Sequence, residues 1–134
     1  QLAAGSGSWS SLSDRNAKND LAPVNPQAVL AGVAALSISK WSYKTEQGVR
    51  HLGPMAQDFH AAFQVGENDT TISTVDEEGV ALAAIQGLNE KLEQQSKQKD
   101  AEIQALQAKA AQVDSIEARL NELEQTVQSL AEKK

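Results

Sequence analysis

The chain contains no cysteine, so no disulfide can staple a small globular unit that buries too little surface to be secure alone. It also has no long apolar run. The longest, from Ala28 to Leu36, is nine residues with Gly32 inside it, against roughly 20 for a bilayer span, so no transmembrane segment and no membrane partner are expected. Clustered basic charge is missing as well: the net charge is −6, with 5 basic and 9 acidic residues up to Gly79 and 7 and 9 after it. Phosphate backbones are held by grouped Lys and Arg, so nucleic acid is not an expected partner. The two histidines, His51 and His60, form no helical pair, and without a thiolate beside them a metal site is not expected. The GSGS near the start lacks the strand and helix that would make it a phosphate loop, and nothing in the chain calls for a cofactor. The first residues carry neither the basic nor the apolar region of a secretory signal, as expected of the tail end of a longer protein.

What is present falls into three stretches. Residues 1–12, QLAAGSGSWSSL, are small and polar and read equally as a linker, an expression remnant or the last strand of an upstream fibre. Residues 13–79 have the texture of a small mixed domain. There Asn25 followed by Pro26 marks a helix start, and Val29, Leu30, Val33 and Leu36 place one apolar face along it. ISKWSYK and VRHLG around TEQG read as a hairpin with Trp41 and Tyr43 on one side. Pro54 opens a second short helix in which Met55, Phe59 and Phe63 recur every four residues, leaving His60 on the exposed side. After a GEND turn, TTISTV reads as a third strand. Met55, Phe59, Phe63, Trp41 and Tyr43 are expected in the core.

Residues 80–134 carry the most regular pattern, on a helix expected to begin near Asp76 or Gly79. Leu82, Ile85, Leu92, Ile103, Leu106, Ala110 and Val113 alternate by three and four if Asn89, Ser96 and Lys99 occupy the same seam. Ile116 then arrives three residues after Val113, a stammer, and the repeat resumes through Leu120, Leu123, Val127 and Leu130. A helix of this length and amphipathicity needs partner helices, and it contains no proline, with Gly87 its one weak point. The heptads do not choose between two and three strands. A second reading folds the helix back on itself at QQSKQKDAE, although no Gly or Pro interrupts that stretch. The fold expected is α+β, a small mixed helix and short-strand domain followed by a long coiled-coil helix.

One pair of residues could do chemistry. Ser13 and Lys18 stand five apart in SDRNAK, which on a helix would point them about 140° from each other, so they meet only if Ser13 lies outside the helix. A hydroxyl becomes nucleophilic when a base takes its proton, and a lysine serves if burial lowers its affinity for protons. The plainer reading has Ser13 or Asp14 capping a turn and Lys18 in solvent.

SDRNAKNDLAPVNP, then WSYK, RHLGPMAQDF and TVDEEGVALAAIQGL leading into a coiled coil, resembles the endosialidase-type intramolecular chaperone, an autoproteolytic peptidase family. The resemblance covers residues 13 to about 92. Its members end phage tail spikes and fibres, related bacterial surface or prophage proteins, and a membrane-bound animal transcription factor. The resemblance implies a homotrimer that helps the upstream fibre fold and then cuts the Leu12–Ser13 bond, with Ser13 as nucleophile and Lys18 as general base. Asp14, His51, Gln57 and Asp76 lie in the matching stretches as supporting residues. His51 reads equally as a hydrogen-bonded structural residue of its strand, and Asp76 as the cap of the long helix. Location in a phage tail, or in a bacterial surface or prophage product, follows from the same resemblance, the cut fragment leaving in the cytoplasm after assembly. The chain departs from the pattern at Asn16, where many members have a basic residue two places before the lysine and Arg15 stands one place earlier here. The alternatives are a non-cleaving trimerisation cap that stays attached, and a generic coiled-coil adaptor for which residues 80–134 would suffice.

Overall fold

A computed structural model describes residues 9–132 together with Gly5 and Gly7, and the reading of residues 1–12 as linker or fibre end falls largely outside that range. The order of elements is a 3-10 turn at Arg15–Ala17, then α1 (Pro26–Ala35), β1 (Ser39–Trp41), β2 (His51–Gly53), α2 (Ala56–Phe63) and α3 (Thr74–Ala131). The fold is α+β. The chain forms two compact units, residues 1–91 and residues 92–134.

In the first unit, α1 starts where the sequence places it. Asn25 Oδ1 accepts from the backbone N–H of Gln27 and of Ala28, two of the donors that a helix start leaves without partners, and Pro26 follows at the first helical position. Leu36 closes the helix as its cap, its N–H bonded to the Val33 carbonyl. Val29, Leu30, Val33 and Leu36 are half-buried. The hairpin forms with Ser39 opposite Gly53, Lys40 opposite Leu52 and Trp41 opposite His51. Its strands are shorter than the sequence pattern. Residues 42–50 make a longer loop than TEQG alone, with Gly48 at φ +81, so Tyr43, expected in the core, leaves the strand and is 57% exposed, its ring edge-on to Trp41 at 4.8 Å.

The second helix, α2, begins at Ala56 with Met55 as its cap, two residues later than Pro54. It ends where Gln64 turns left-handed at φ 52. Phe59 is buried and its ring lies 5.0 Å from that of Phe63. Met55, expected in the core, is 38% exposed. His60, expected on the outside, is half-buried, and its Nδ1 lies 3.1 Å from the Val65 carbonyl oxygen, a contact that ties the helix end to the following turn.

The third strand does not form. Asn68 Oδ1 instead accepts from the N–H and the hydroxyl of both Thr70 and Thr71, which curls the chain, since a side-chain acceptor of this kind competes with extended pairing. Thr74 and Val75 then enter α3, which starts earlier than expected. The Ser73 carbonyl accepts from the N–H of Asp76 and Glu77, so Asp76 lies within the first turn rather than at the cap. There its charge, with that of Glu77, still complements the positive end of the helix.

Two faces of α3 differ sharply in the first unit. Val80, Ala83, Ala84 and Gly87 fall on one side at 100° per residue, and Leu82, Ile85 and Asn89 fall about 180° away. Ala84 and Gly87 are buried, whereas Leu82 and Ile85 are 65% and 62% exposed. Gly87 is not a weak point but a contact: a Cβ there would stand 2.6 Å from the Pro26 carbonyl carbon. Beside it, Gln27 Nε2 donates to Glu90 Oε2 at 3.3 Å. Gly32 serves α1 and α2 similarly, since its Cβ would meet the Phe63 ring at 2.7 Å. Among the described residues, Phe59 and Ala84 are the buried apolar side chains, and Trp41 Nε1 is buried without a hydrogen-bond partner.

In the second unit the helix runs through residues 94–102 without a turn, which excludes the fold-back reading. Leu92, Ile103, Leu106, Val113, Ile116, Leu120, Leu123, Val127 and Leu130 are each more than half exposed. No helix described is long and apolar enough to cross a membrane.

Candidate active site

The residues singled out by sequence fall into two separate groups. The first is built on the 3-10 turn. Asp14 sits at its start in an extended conformation, φ −65 and ψ 133, and its side chain accepts from the Asn16 N–H. The Ala17 N–H donates to the Asp14 carbonyl at 3.1 Å and the Lys18 N–H to the Arg15 carbonyl at 3.2 Å. Ser13 therefore lies outside the turn, and Lys18, extended again at φ −118 and ψ 140, reaches back over it. Lys18 Nζ donates to Ser13 Oγ at 2.9 Å. This is the geometric condition the spacing imposes, met by a turn too short to set the two side chains on opposite sides.

Both side chains are exposed, as is Leu12, which keeps 79% of its surface open. An ammonium that donates to a hydroxyl holds it in place but takes no proton from it. The pair is thus in hydrogen-bond contact and open to solvent in the single chain.

The others are His51 and Gln57 at the hairpin and its groove, and Asp76 in the first turn of α3. His51 stacks on Trp41 with ring centroids 4.7 Å apart and an interplanar angle of 28°, and Tyr43 meets the His51 ring at 5.3 Å. Its Nε2 lies 3.2 Å from Glu46 Oε2. Gln57, exposed near the start of α2, lines an open groove of about 560 Å³ with Trp41, Tyr43, Leu52, Met55 and Glu77. Asp76 is half-buried, and the space a Gly66 side chain would occupy comes within 3.6 Å of its Oδ2. The partners of His51 come from the opposite strand and the hairpin loop, Asp76 neighbours Gly66, and the hydrogen bonds of the Ser13 turn are its own.

Two participants escaped the sequence reading. Glu46 becomes the partner of His51 because the hairpin loop folds back, and a carboxylate five residues before a strand histidine was the available signal. Asn16, noted only as a departure from a pattern, donates both its backbone N–H and its side-chain Nδ2 to Asp14 Oδ1, at 3.0 and 3.2 Å. Among the described residues no group of three or more His, Asp or Glu side chains gathers as metal ligands would.

Residues 13–65 match the family model described as Chaperone of endosialidase. The resemblance carried by SDRNAK and GPMAQDF is thereby shown over that segment, and a family of this description indicates a chaperone role. The family is classed among peptidases. No match was found among curated proteins or among solved structures.

Proposed function

We propose that the chain is the C-terminal intramolecular chaperone of a fibre or spike protein, that three copies associate through α3, and that each then cuts itself between Leu12 and Ser13. The observation that carries the chemistry is the 2.9 Å hydrogen bond from Lys18 Nζ to Ser13 Oγ. The family match supports it by beginning at Ser13, the residue that would become the new N-terminus.

The reaction needs no group outside the chain except water. Ser13 Oγ adds to the Leu12 carbonyl carbon through a five-membered ring while a neutral Lys18 takes the hydroxyl proton. The Leu12–Ser13 C–N bond breaks, and Lys18 returns the proton to the departing Ser13 nitrogen. Leu12 is then esterified to Ser13 Oγ. Water hydrolyses the ester to a Leu12 carboxylate and a free Ser13 hydroxyl. Lysine becomes a base when water is withdrawn from it, and in the single chain both partners are exposed. Assembly is the step that supplies this desolvation, which orders the events: association first, cutting second.

Association itself is supported by the bare face of α3. A row of leucines, isoleucines and valines more than half exposed on a continuous helix is the seam of a coiled coil without its partners. Three such helices hold three fibre ends at high effective concentration, which speeds the long-range strand pairing that is intrinsically slow. The setting that follows is a phage tail, or a bacterial surface or prophage product, with the cut fragment released in the cytoplasm. Asn16 in place of a second basic residue makes cutting slow.

The test is intact-mass spectrometry and light scattering on the chain fused to an upstream reporter, with Ser13→Ala and Lys18→Ala beside it. A trimer whose smaller fragment begins at Ser13, with both variants trimeric and uncut, is the expected result. Cleavage that survives both substitutions ends the assignment. A second reading, the retained trimerisation cap, is favoured by the exposure of Ser13 and Lys18 and predicts a trimer that never cuts.

A further inference from the structure

We propose that Asp14 and Asn16 form the clamp that presents Lys18 to Ser13, with Asp14 as a positioning residue that acts by accepting hydrogen bonds and not by its charge; the inference rests on the self-cleavage reading above. A three-residue turn has little stability of its own, because a nucleus fixes several dihedral angles for one or two hydrogen bonds. Tertiary burial gives it no help, since residues 9–25 are all exposed. What holds it is local: two backbone bonds, Ala17 to Asp14 and Lys18 to Arg15, and the side-chain cap. Asp14 Oδ1 takes the Asn16 N–H at 3.0 Å and Asn16 Nδ2 at 3.2 Å. One oxygen thus closes two rings onto the same residue and fixes both the entry of the turn and its middle.

The consequence for the site is geometric. With the turn formed, positions 13 and 18 face each other at 2.9 Å. As a continuous α-helix they would diverge by about 140°, and as extended chain they would lie roughly 17 Å apart. The turn is therefore the conformation that joins them, and its population multiplies the cleavage rate. Asp14 Oδ1 is occupied by Asn16, so its contribution is that of an acceptor, which a neutral carboxamide can supply. Asparagine caps about as well as aspartate, so Asp14→Asn separates the two roles.

The experiment follows the cleavage rate and its pH profile in the full chain carrying its upstream reporter. Asp14→Ala is expected to cut roughly five- to tenfold more slowly, the effect of losing a cap, with the pH profile unmoved. Asp14→Asn is expected to cut within about twofold of the parent. Asn16→Ala, which keeps the backbone donor, falls between them. Asp14→Ala cutting at the parent rate overturns the inference. So does Asp14→Asn failing as badly as Asp14→Ala with a displaced pH profile, which would make the carboxylate charge the active element. A readout independent of cutting uses two-dimensional NMR of the uncut Ser13→Ala protein. There the Asn16, Ala17 and Lys18 amide shifts are expected to stay dispersed in Asp14→Asn and to move toward unstructured values when Asp14→Ala is added. If the parent never cuts, the self-cleavage reading fails, and the clamp is judged on those shifts alone: their indifference to Asp14→Ala overturns it.

Discussion

Gly87 and Gly79 lie in the same helix and differ in what a side chain would meet, so replacing each with alanine isolates one contact. Alanine favours a helix over glycine by about 0.8–1.0 kcal/mol, and that gain applies at both positions. At Gly79 the new methyl meets nothing within 4 Å. At Gly87 it would come within 2.6 Å of the Pro26 carbonyl carbon, and the obstacle is backbone at the start of α1, which cannot rotate aside as a side chain might. Overpacking of this kind costs about 1–3 kcal/mol. Because the propensity gain cancels, the steric cost is the difference between the two variants. For a unit of this size about 1 kcal/mol moves the melting temperature by about 4–8 °C, so the variants should separate by at least about 4 °C, with Gly79→Ala above the parent. The assay is thermal unfolding at fixed protomer concentration, since association shifts the midpoint. It should be followed by near-ultraviolet circular dichroism, where the packed Trp41, Tyr43 and His51 cluster reports on the first unit and Trp9, 79% exposed, contributes little. Far-ultraviolet signal would be dominated by α3. Equal midpoints, or Gly87→Ala melting higher, would refute the docking of α1 on α3.

Phe59→Ala removes the largest buried side chain and should cost about 3–5 kcal/mol, read as a lower denaturant midpoint of the near-ultraviolet transition. Asn25→Ala leaves the Gln27 and Ala28 amides without their acceptor and should cost about 1 kcal/mol, measured as a drop in melting temperature that Asn25→Ser largely avoids. Leu123→Asp puts a charge in the proposed seam and should shift the mass seen by light scattering from trimer toward monomer at micromolar concentration; an unchanged mass would remove α3 from the interface. His51→Leu deletes the ring stacked on Trp41 and should alter tryptophan emission without changing the mass of the assembly.

Much of the fold was legible because its signals are local. Asn25 and Pro26 start a helix through their own backbone geometry, and the three-four spacing of Leu82 to Leu130 marks an amphipathic helix wherever it occurs. The hairpin was legible from alternation, although its loop was not. TTISTV misled because threonine and isoleucine favour strands, yet Asn68 offers its oxygen to the backbone two and three residues on and that local bond won. Asp76 misled in the same manner: an aspartate before an apolar helix reads as a cap, but the Ser73 carbonyl takes up the first-turn amides and the helix starts sooner.

By itself, the sequence determined which segments are helical, that α3 carries an apolar stripe, and which serine and lysine to watch, since each depends on side-chain type and spacing along the chain. Tertiary structure decided that Gly87 is a contact surface and not a flaw, that a carbonyl from α1 occupies the space its side chain would take, and that His51 belongs to Trp41 and Glu46. These are pairings between segments whose separation in sequence carries no period. The approach of Lys18 to Ser13 lies between the two cases: the spacing permitted it, and a turn held by Asp14 and Asn16 made the bond.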